Sequence, residues 1–164
     1  MASKIFVFSY GAICGGAIIG GLSFALKISD CTLRSVEGPS MRPTLNPCGS
    51  YISDILVVRK IRKNEEIESI DVSSILCIKH PKQERGYLVK RLVANQNEKL
   101  NTQTIHKIET KQSLKVIPKG HCWVESDAGP GYLDSTSYLG PIPYDMIMGK
   151  ALYVIWPPHR IKKL

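Results

Sequence analysis

A serine on a stiff turn is the first group in this sequence that suits nucleophilic chemistry. Ser40 lies in the segment EGPSMRPTLNP, residues 37–47. Gly38, Pro39 and Pro43 surround it, and this composition excludes a regular helix or strand. A serine hydroxyl becomes a nucleophile only when a neighbouring base takes its proton. The chemistry of this turn therefore depends on which basic side chain the fold brings to Ser40.

Histidine is one candidate for that base. None of the four histidines lies in a recognisable hydrolase motif, and the sequence has no G-x-S-x-G turn. A Ser-His-Asp triad nevertheless remains an alternative, because its members need not be close in sequence. The four are His80, His106, His121 and His159.

Lysine is the other candidate, in the segment GYLVKRLVAN, residues 86–95. On a strand, Lys90 would share one face with Leu88 and Leu92. Apolar surroundings lower the pKa of a lysine, so that it can accept a proton at working pH. The neighbouring Arg91 cannot serve, because a guanidinium does not deprotonate in proteins. This stretch alone favours a plainer alternative, in which Lys90 extends from a sheet edge into water.

Metal chemistry has weaker support in the sequence. Cys77-x-x-His80 and the pair His121-Cys122 offer zinc-type ligands, but neither pair has a standard finger spacing. The odd total of five cysteines also argues against a disulfide framework. We therefore expect no metal and no other cofactor.

The N-terminal residues predict a membrane anchor. Residues 5–26, IFVFSYGAICGGAIIGGLSFAL, carry no charge and lie between Lys4 and Lys27. At about 1.5 Å per residue, a helix of this length crosses a bilayer core of about 30 Å. Two G-x-x-x-G spacings within it would let another helix approach closely. A cleaved signal peptide is the alternative.

The charge balance is consistent with a membrane surface. A net charge of +8 suits either an anionic bilayer or nucleic acid. The sequence has no arginine-rich tract, recognition-helix pattern or zinc-finger spacing, so we expect a lipid bilayer partner and no nucleic acid.

The residues that follow the apolar N-terminal stretch predict one mainly β domain. We expect an anchor over residues 1–27, a polar linker over 28–35 and a catalytic domain over 36–164. Short runs rich in valine, isoleucine, leucine and tyrosine, separated by polar or Pro/Gly stretches, predict antiparallel strands. These runs are residues 51–58, 72–78, 87–94, 113–117, 121–125 and 146–156.

Three segments in order resemble the type I signal peptidase family, which cleaves with a serine-lysine dyad. They are SMRPT at 40–44, VKRL at 89–92 and ESDAGPGYLDSTSYLGPIP at 125–143. The resemblance implies a signal-peptidase-like irregular antiparallel β domain behind one transmembrane helix. It also implies that Ser40 is the nucleophile and Lys90 the general base.

The same resemblance implies roles for seven further residues. An ion pair between Arg91 and Asp127 would be structural, and Asp134 would support the site; ordinary turn chemistry is the alternative for both aspartates. Tyr132 replaces the family serine that orients the lysine. The residues expected to support the dyad are Gly38, Met41, Pro43, Arg91, Asp127, Asp134 and Ser135.

Within that family the chain is most similar to the mitochondrial inner membrane peptidases. The ending WPPHRIKKL at 156–164 and the segment at 37–47 carry this likeness. It implies a single-pass protein of the mitochondrial inner membrane, with its catalytic domain in the intermembrane space. It further implies precursor proteins as substrates and a heterodimer with a related catalytic subunit, subunit 1.

A non-catalytic subunit that stabilises a partner protease is the alternative. A repressor with a related dyad would need a helix-turn-helix domain, whose place the apolar span occupies.

Overall fold

The computed structural model describes residues 30–47, 52–61, 67–100 and 116–164. The chain divides into a small unit, residues 1–32, and a larger one, residues 33–164. The predicted anchor at 5–26 lies outside the described residues. Among the residues that are described, no helix is both long and apolar enough to cross a membrane.

The larger unit is built around an antiparallel sheet. Within the described residues the strand order is β1-β2-β7-β3-β4-β5-β6, and β8 pairs with β7. A π-helical turn at Ser135–Leu139 and two short 3₁₀ turns, Tyr144–Met146 and Pro158–Arg160, join some of the strands. The strands are β1 Cys31–Ser35, β2 Ile55–Lys60, β3 Ile75–Lys79, β4 Tyr87–Ala94, β5 His121–Glu125, β6 Ile142–Pro143, β7 Ile147–Trp156 and β8 Lys162–Lys163.

The mainly β class is confirmed, and two predicted strands, 87–94 and 121–125, have the bounds of β4 and β5. The prediction over 146–156 begins one residue before β7. The stretch 28–35, predicted as a linker, contains β1. Most of the predicted strand 113–117 lies outside the described residues; its Val116 forms an isolated bridge with Lys99.

Two predicted strands begin too early, and local hydrogen bonds explain why. β2 begins only at Ile55, since the Asp54 backbone bonds outside the sheet: its N–H donates to Asn46 and its carbonyl accepts from Val36. β3 begins at Ile75, after a turn in which the Ser74 N–H donates to the Asp71 carbonyl.

The core reaches directly under the Ser40 turn. Val36, Met41 and Leu45 are 2%, 1% and 0% exposed and belong to the same apolar cluster as Leu56 and Val89. Residues before and after Ser40 are therefore fixed by burial, while Ser40 itself lies at the surface of this cluster and is half-buried.

Candidate active site

The backbone around Ser40 forms a compact, hydrogen-bonded turn. The Arg42 N–H donates to the Pro39 carbonyl at 3.0 Å, and the Leu45 N–H donates to the Met41 carbonyl at 2.8 Å. Gly38 has φ +75°, a conformation that residues with a Cβ rarely adopt. These features turn the chain sharply before and after Ser40.

Ser40 and Lys90 line the same cavity, which has a volume of about 490 Å³. One wall comes from the segment before and at Ser40, and the other from β4 and the turn that leads into it. The lining residues are Val36, Glu37, Ser40, Gln83, Arg85, Gly86, Tyr87, Leu88, Val89 and Lys90.

Lys90 is buried in the middle of β4. It is 2% exposed, and Leu92 and Ala94, at alternate positions on the same strand face, are also buried. Burial lowers the pKa of Lys90 to about 8, although the negative charges of Asp134 and Asp127 act in the opposite direction. The alternative of a lysine that extends into water is therefore wrong. A lysine with this pKa is partly neutral near neutral pH and can accept a proton.

An aromatic ring covers the ammonium group. Lys90 Nζ lies 5.9 Å from the centroid of the Tyr132 ring, within the range of a cation–π contact. Among the described residues, no carboxylate forms an ion pair with Lys90.

The neighbour of Lys90 holds the loop that contacts Ser40. Arg91 donates from Nε and Nη2 to the two carboxylate oxygens of Asp127, at 2.7 and 2.5 Å. The next residue, Ala128, donates its N–H to the Ser40 carbonyl at 3.0 Å. Arg91 Nη2 also lies 3.4 Å from Thr44 Oγ1. The ion pair thereby connects β4 with Ser40 and with the residues that follow it.

The Asp134 carboxylate holds the loop that follows β5 together by hydrogen bonds. This side chain is buried and accepts four hydrogen bonds, from the N–H and hydroxyl of Ser126 and from the N–H groups of Thr136 and Ser137. Ser135 Oγ accepts from the Val124 N–H of β5 at 3.0 Å. Both residues hold residues 126–137 against the sheet, and neither lines the cavity.

The candidate histidines lie elsewhere. His80 Nδ1 accepts from the Lys82 N–H, His121 Nδ1 donates to the Lys119 carbonyl, and His159 is exposed in a 3₁₀ turn. None of these three lines the cavity, and His106 falls outside the described residues. In the part of the chain that the structure describes, no three histidine, cysteine or acidic side chains are placed to hold a metal ion.

The sequence patterns miss one group of residues beside the turn. Asn46, Asp54 and Arg160 form a connected network that ends on the Thr44 carbonyl. Asp54 and Arg160 are 106 residues apart, so no local spacing links them. The only sequence signal is an acidic residue in an apolar run, next to a strand that becomes buried.

Comparison with known proteins identifies the family. A mitochondrial inner membrane protease subunit 2 from Mus musculus is 33% identical over 160 residues, 94% of this chain and 85% of that protein. The corresponding Homo sapiens protein is 34% identical, over 93% of this chain and 83% of its own length. A Homo sapiens mitochondrial inner membrane protease subunit 1 is 28% identical, over 93% and 80%. No family model matches the chain. The chain belongs to the family of mitochondrial inner membrane protease subunits 2.

Proposed function

We propose that this protein is a membrane-bound serine endopeptidase that uses Ser40 and Lys90 as a catalytic dyad. The observation that carries the proposal is a lysine with its pKa lowered to about 8, buried in the wall of the same cavity that Ser40 lines. Burial of a charged lysine is unfavourable, so a buried lysine in a cavity is a candidate functional group. Its neutral amine can activate a hydroxyl by accepting the proton. The family to which the chain belongs is named as a protease, which agrees with this reading.

In the proposed reaction, neutral Lys90 Nζ takes the proton of Ser40 Oγ as the oxygen attacks the scissile carbonyl. The tetrahedral intermediate collapses when protonated Lys90 passes that proton to the leaving amine, which gives an acyl-enzyme. Water, deprotonated by Lys90, then attacks the ester and releases the acyl group, while Ser40 regains its proton. The Ser40 N–H donates no hydrogen bond within the described residues and serves as oxyanion donor.

The substrate groove follows from the pairing of β4. β5 pairs with β4 at Arg91, Leu92 and Ala94, so one edge of the strand before Arg91 has no partner among the described strands. The residues of that edge, Tyr87 to Lys90, line the cavity together with Val36. An extended peptide bound there would add a strand to the sheet and bring its carbonyl to Ser40. We expect small side chains immediately before the cleaved bond.

The proposed substrates are signal and sorting peptides of precursors delivered to the mitochondrial inner membrane and intermembrane space. The proposed arrangement is a single-pass anchor at 5–26, a catalytic domain in the intermembrane space and a heterodimer with subunit 1. Relatives named subunit 1 and subunit 2 of the inner membrane protease support this assignment. Their names give the membrane and the protease class.

The test is cleavage of a membrane-anchored precursor by the full chain, co-expressed with a subunit 1 that has lost its own serine. Ser40→Ala and Lys90→Met should each abolish cleavage with partner levels unchanged. Ser35→Ala and Lys79→Met, at exposed positions on β1 and β3, are the matched controls and should cleave normally. Cleavage by the Ser40→Ala variant would contradict the dyad. A partner that needs this chain for its stability, without cleavage by wild type, would show the non-catalytic alternative instead.

A further inference from the structure

A buried carboxylate lies behind the Ser40 turn, away from the cavity. The Asp54 side chain is 0% exposed, and Arg160 binds both of its oxygens. Arg160 Nε donates to Oδ1 at 2.8 Å and Nη2 donates to Oδ2 at 2.9 Å. A buried carboxylate needs such a partner, because an unpaired charge in the interior is costly.

Asp54 is bonded to both ends of the turn. Its Oδ2 accepts from the Asn46 N–H at 2.9 Å, and its own N–H donates to Asn46 Oδ1 at 2.8 Å. At the other end, the Val36 N–H donates to the Asp54 carbonyl at 2.8 Å. Asn46 Nδ2 closes the loop with a hydrogen bond of 2.6 Å to the Val36 carbonyl. The two ends of residues 36–46 are therefore held together at Asp54.

The chain after β7 adds a second point of attachment. Arg160 Nη2 and Lys162 Nζ both donate to the Thr44 carbonyl, at 3.2 and 2.9 Å. Thr44 lies four residues after Ser40, on the far side of the buried Met41. Arg160 is thus linked to the two ends of the turn through Asp54, and it also binds directly to Thr44, within the turn.

We propose that Asp54 and Arg160 are positioning residues that set the direction of Ser40 toward Lys90. Neither lines the cavity, so they act through the turn and not on the substrate. A misplacement of about 1 Å in reacting groups lowers rates about a hundredfold, and a rigid frame for a surface serine prevents it. This inference rests on the proposed function, since it assigns a purpose to the turn that carries the nucleophile.

The experiment compares Arg160→Met, Arg160→Lys and Arg160→Ala with wild type, in the full chain with its inactivated partner. Lys163→Met, an exposed change on β8, is the control. We expect Arg160→Met to lower kcat about a hundredfold with little change in KM, and Arg160→Lys to lower it less. Millimolar guanidinium should restore part of the activity of Arg160→Ala, because the ion refills the site against Asp54. It should restore none to Lys90→Met.

A second measurement works without catalysis. Hydrogen exchange of the backbone amides in residues 36–47 should accelerate in Arg160→Met, while amides of β4 and β5 keep their protection. If wild type fails to cleave, the proposed function fails. The exchange experiment still tests whether Arg160 and Asp54 hold the Ser40 turn in place. Unchanged exchange, or an equal loss of protection throughout the sheet, would overturn the inference. So would an unchanged kcat in Arg160→Met. If Arg160→Met does not fold, Arg160→Lys carries the same comparisons.

Discussion

Lys90 Nζ faces the ring of Tyr132 at 5.9 Å from its centroid. At this place the resemblance to signal peptidases predicts a serine hydroxyl that would orient the lysine by a hydrogen bond. Here an aromatic face takes that position. A ring both interacts with the ammonium form and keeps water from the amine, and these two effects act on the pKa of Lys90 in opposite directions.

Replacing Tyr132 by alanine should raise the pKa of Lys90 toward its ordinary value of 10.5. Burial is the largest influence on this pKa, so the water admitted in place of the ring outweighs the lost cation–π contact. Cleavage near neutral pH should then fall, and it should recover as the pH is raised. Tyr132→Phe keeps the ring and should behave as wild type. A lower apparent pKa in Tyr132→Ala would show that the cation–π contact dominates.

Cleavage by the wild-type protein should depend on one group with a pKa of about 8. Below that pH Lys90 is protonated and cannot accept the proton of Ser40, so kcat/KM should fall about tenfold per pH unit. Above it, kcat/KM should reach a plateau. The measurement is a pH–rate profile with a soluble peptide that spans the cleavage site. A profile governed by a pKa near 6.5 would instead indicate a histidine base.

Gly38→Ala should reduce both stability and activity. At φ +75° an alanine is strained by about 1–2 kcal/mol, although a Cβ there would have no heavy atom within 4 Å. Gly120 is the matched control, because it has φ +73° and equally open surroundings but lies directly before β5 and not in the Ser40 turn. Both variants should lose similar stability in thermal unfolding. Only Gly38→Ala should lose cleavage activity, and equal activity in the two would show that Gly38 has no special part in the site.

Replacement of Arg160 should reverse the contribution of Asp54 to the pH dependence of stability. Burial alone would raise the pKa of Asp54, but hydrogen bonds from Arg160 and the Asn46 N–H, with the charges of Arg160 and Lys162, hold it below 3.8. Its contribution to the free energy of unfolding is thus complete above pH 3.8 and is lost as the pH falls through the lower, folded pKa. In Arg160→Met burial dominates, the pKa rises above 3.8, and Asp54 destabilises the fold as the pH increases.

Unfolding of the full chain, followed by the fluorescence of the buried Trp123, measures this difference from about pH 3 to about pH 7. Arg160→Lys, which retains a positive charge, is the control and should follow the wild-type curve more closely. Parallel curves for wild type and Arg160→Met would contradict the assignment of the effect to Asp54.

The strand that carries Lys90 could be predicted from local patterns, but the burial of the lysine could not. The apolar residues around Lys90 predict a strand, and β4 has the predicted bounds. The segment alone favours a lysine that extends into water, whereas Lys90 is 2% exposed. The resemblance to signal peptidases implied a supporting role for Met41, and Met41 is 1% exposed.

The hydrogen-bond network of Asn46, Asp54 and Arg160 behind the Ser40 turn could not be predicted from local patterns. Asp54 looks like a polar start to a strand, and Arg160 like one of several basic residues near a proline pair. Their pairing depends on the register of β2 against β7, in which Ile55 lies opposite Trp156. That register is a property of the assembled sheet and not of either segment. The same holds for the hydrogen bond from Ala128 to Ser40, which lies beside the Arg91–Asp127 ion pair and joins residues far apart in sequence.

The distance along the chain between Asp54 and Arg160 has a consequence for maturation. These partners are 106 residues apart, so the Ser40 turn receives its frame only after β7 has joined β2 and the chain beyond it has folded back. Contacts of such long sequence separation form slowly, because the entropy cost of closing the long intervening loop must be met first. A nascent, misfolded or clipped chain would therefore carry an unaligned serine, and the proposed cleavage activity would begin only once folding is complete.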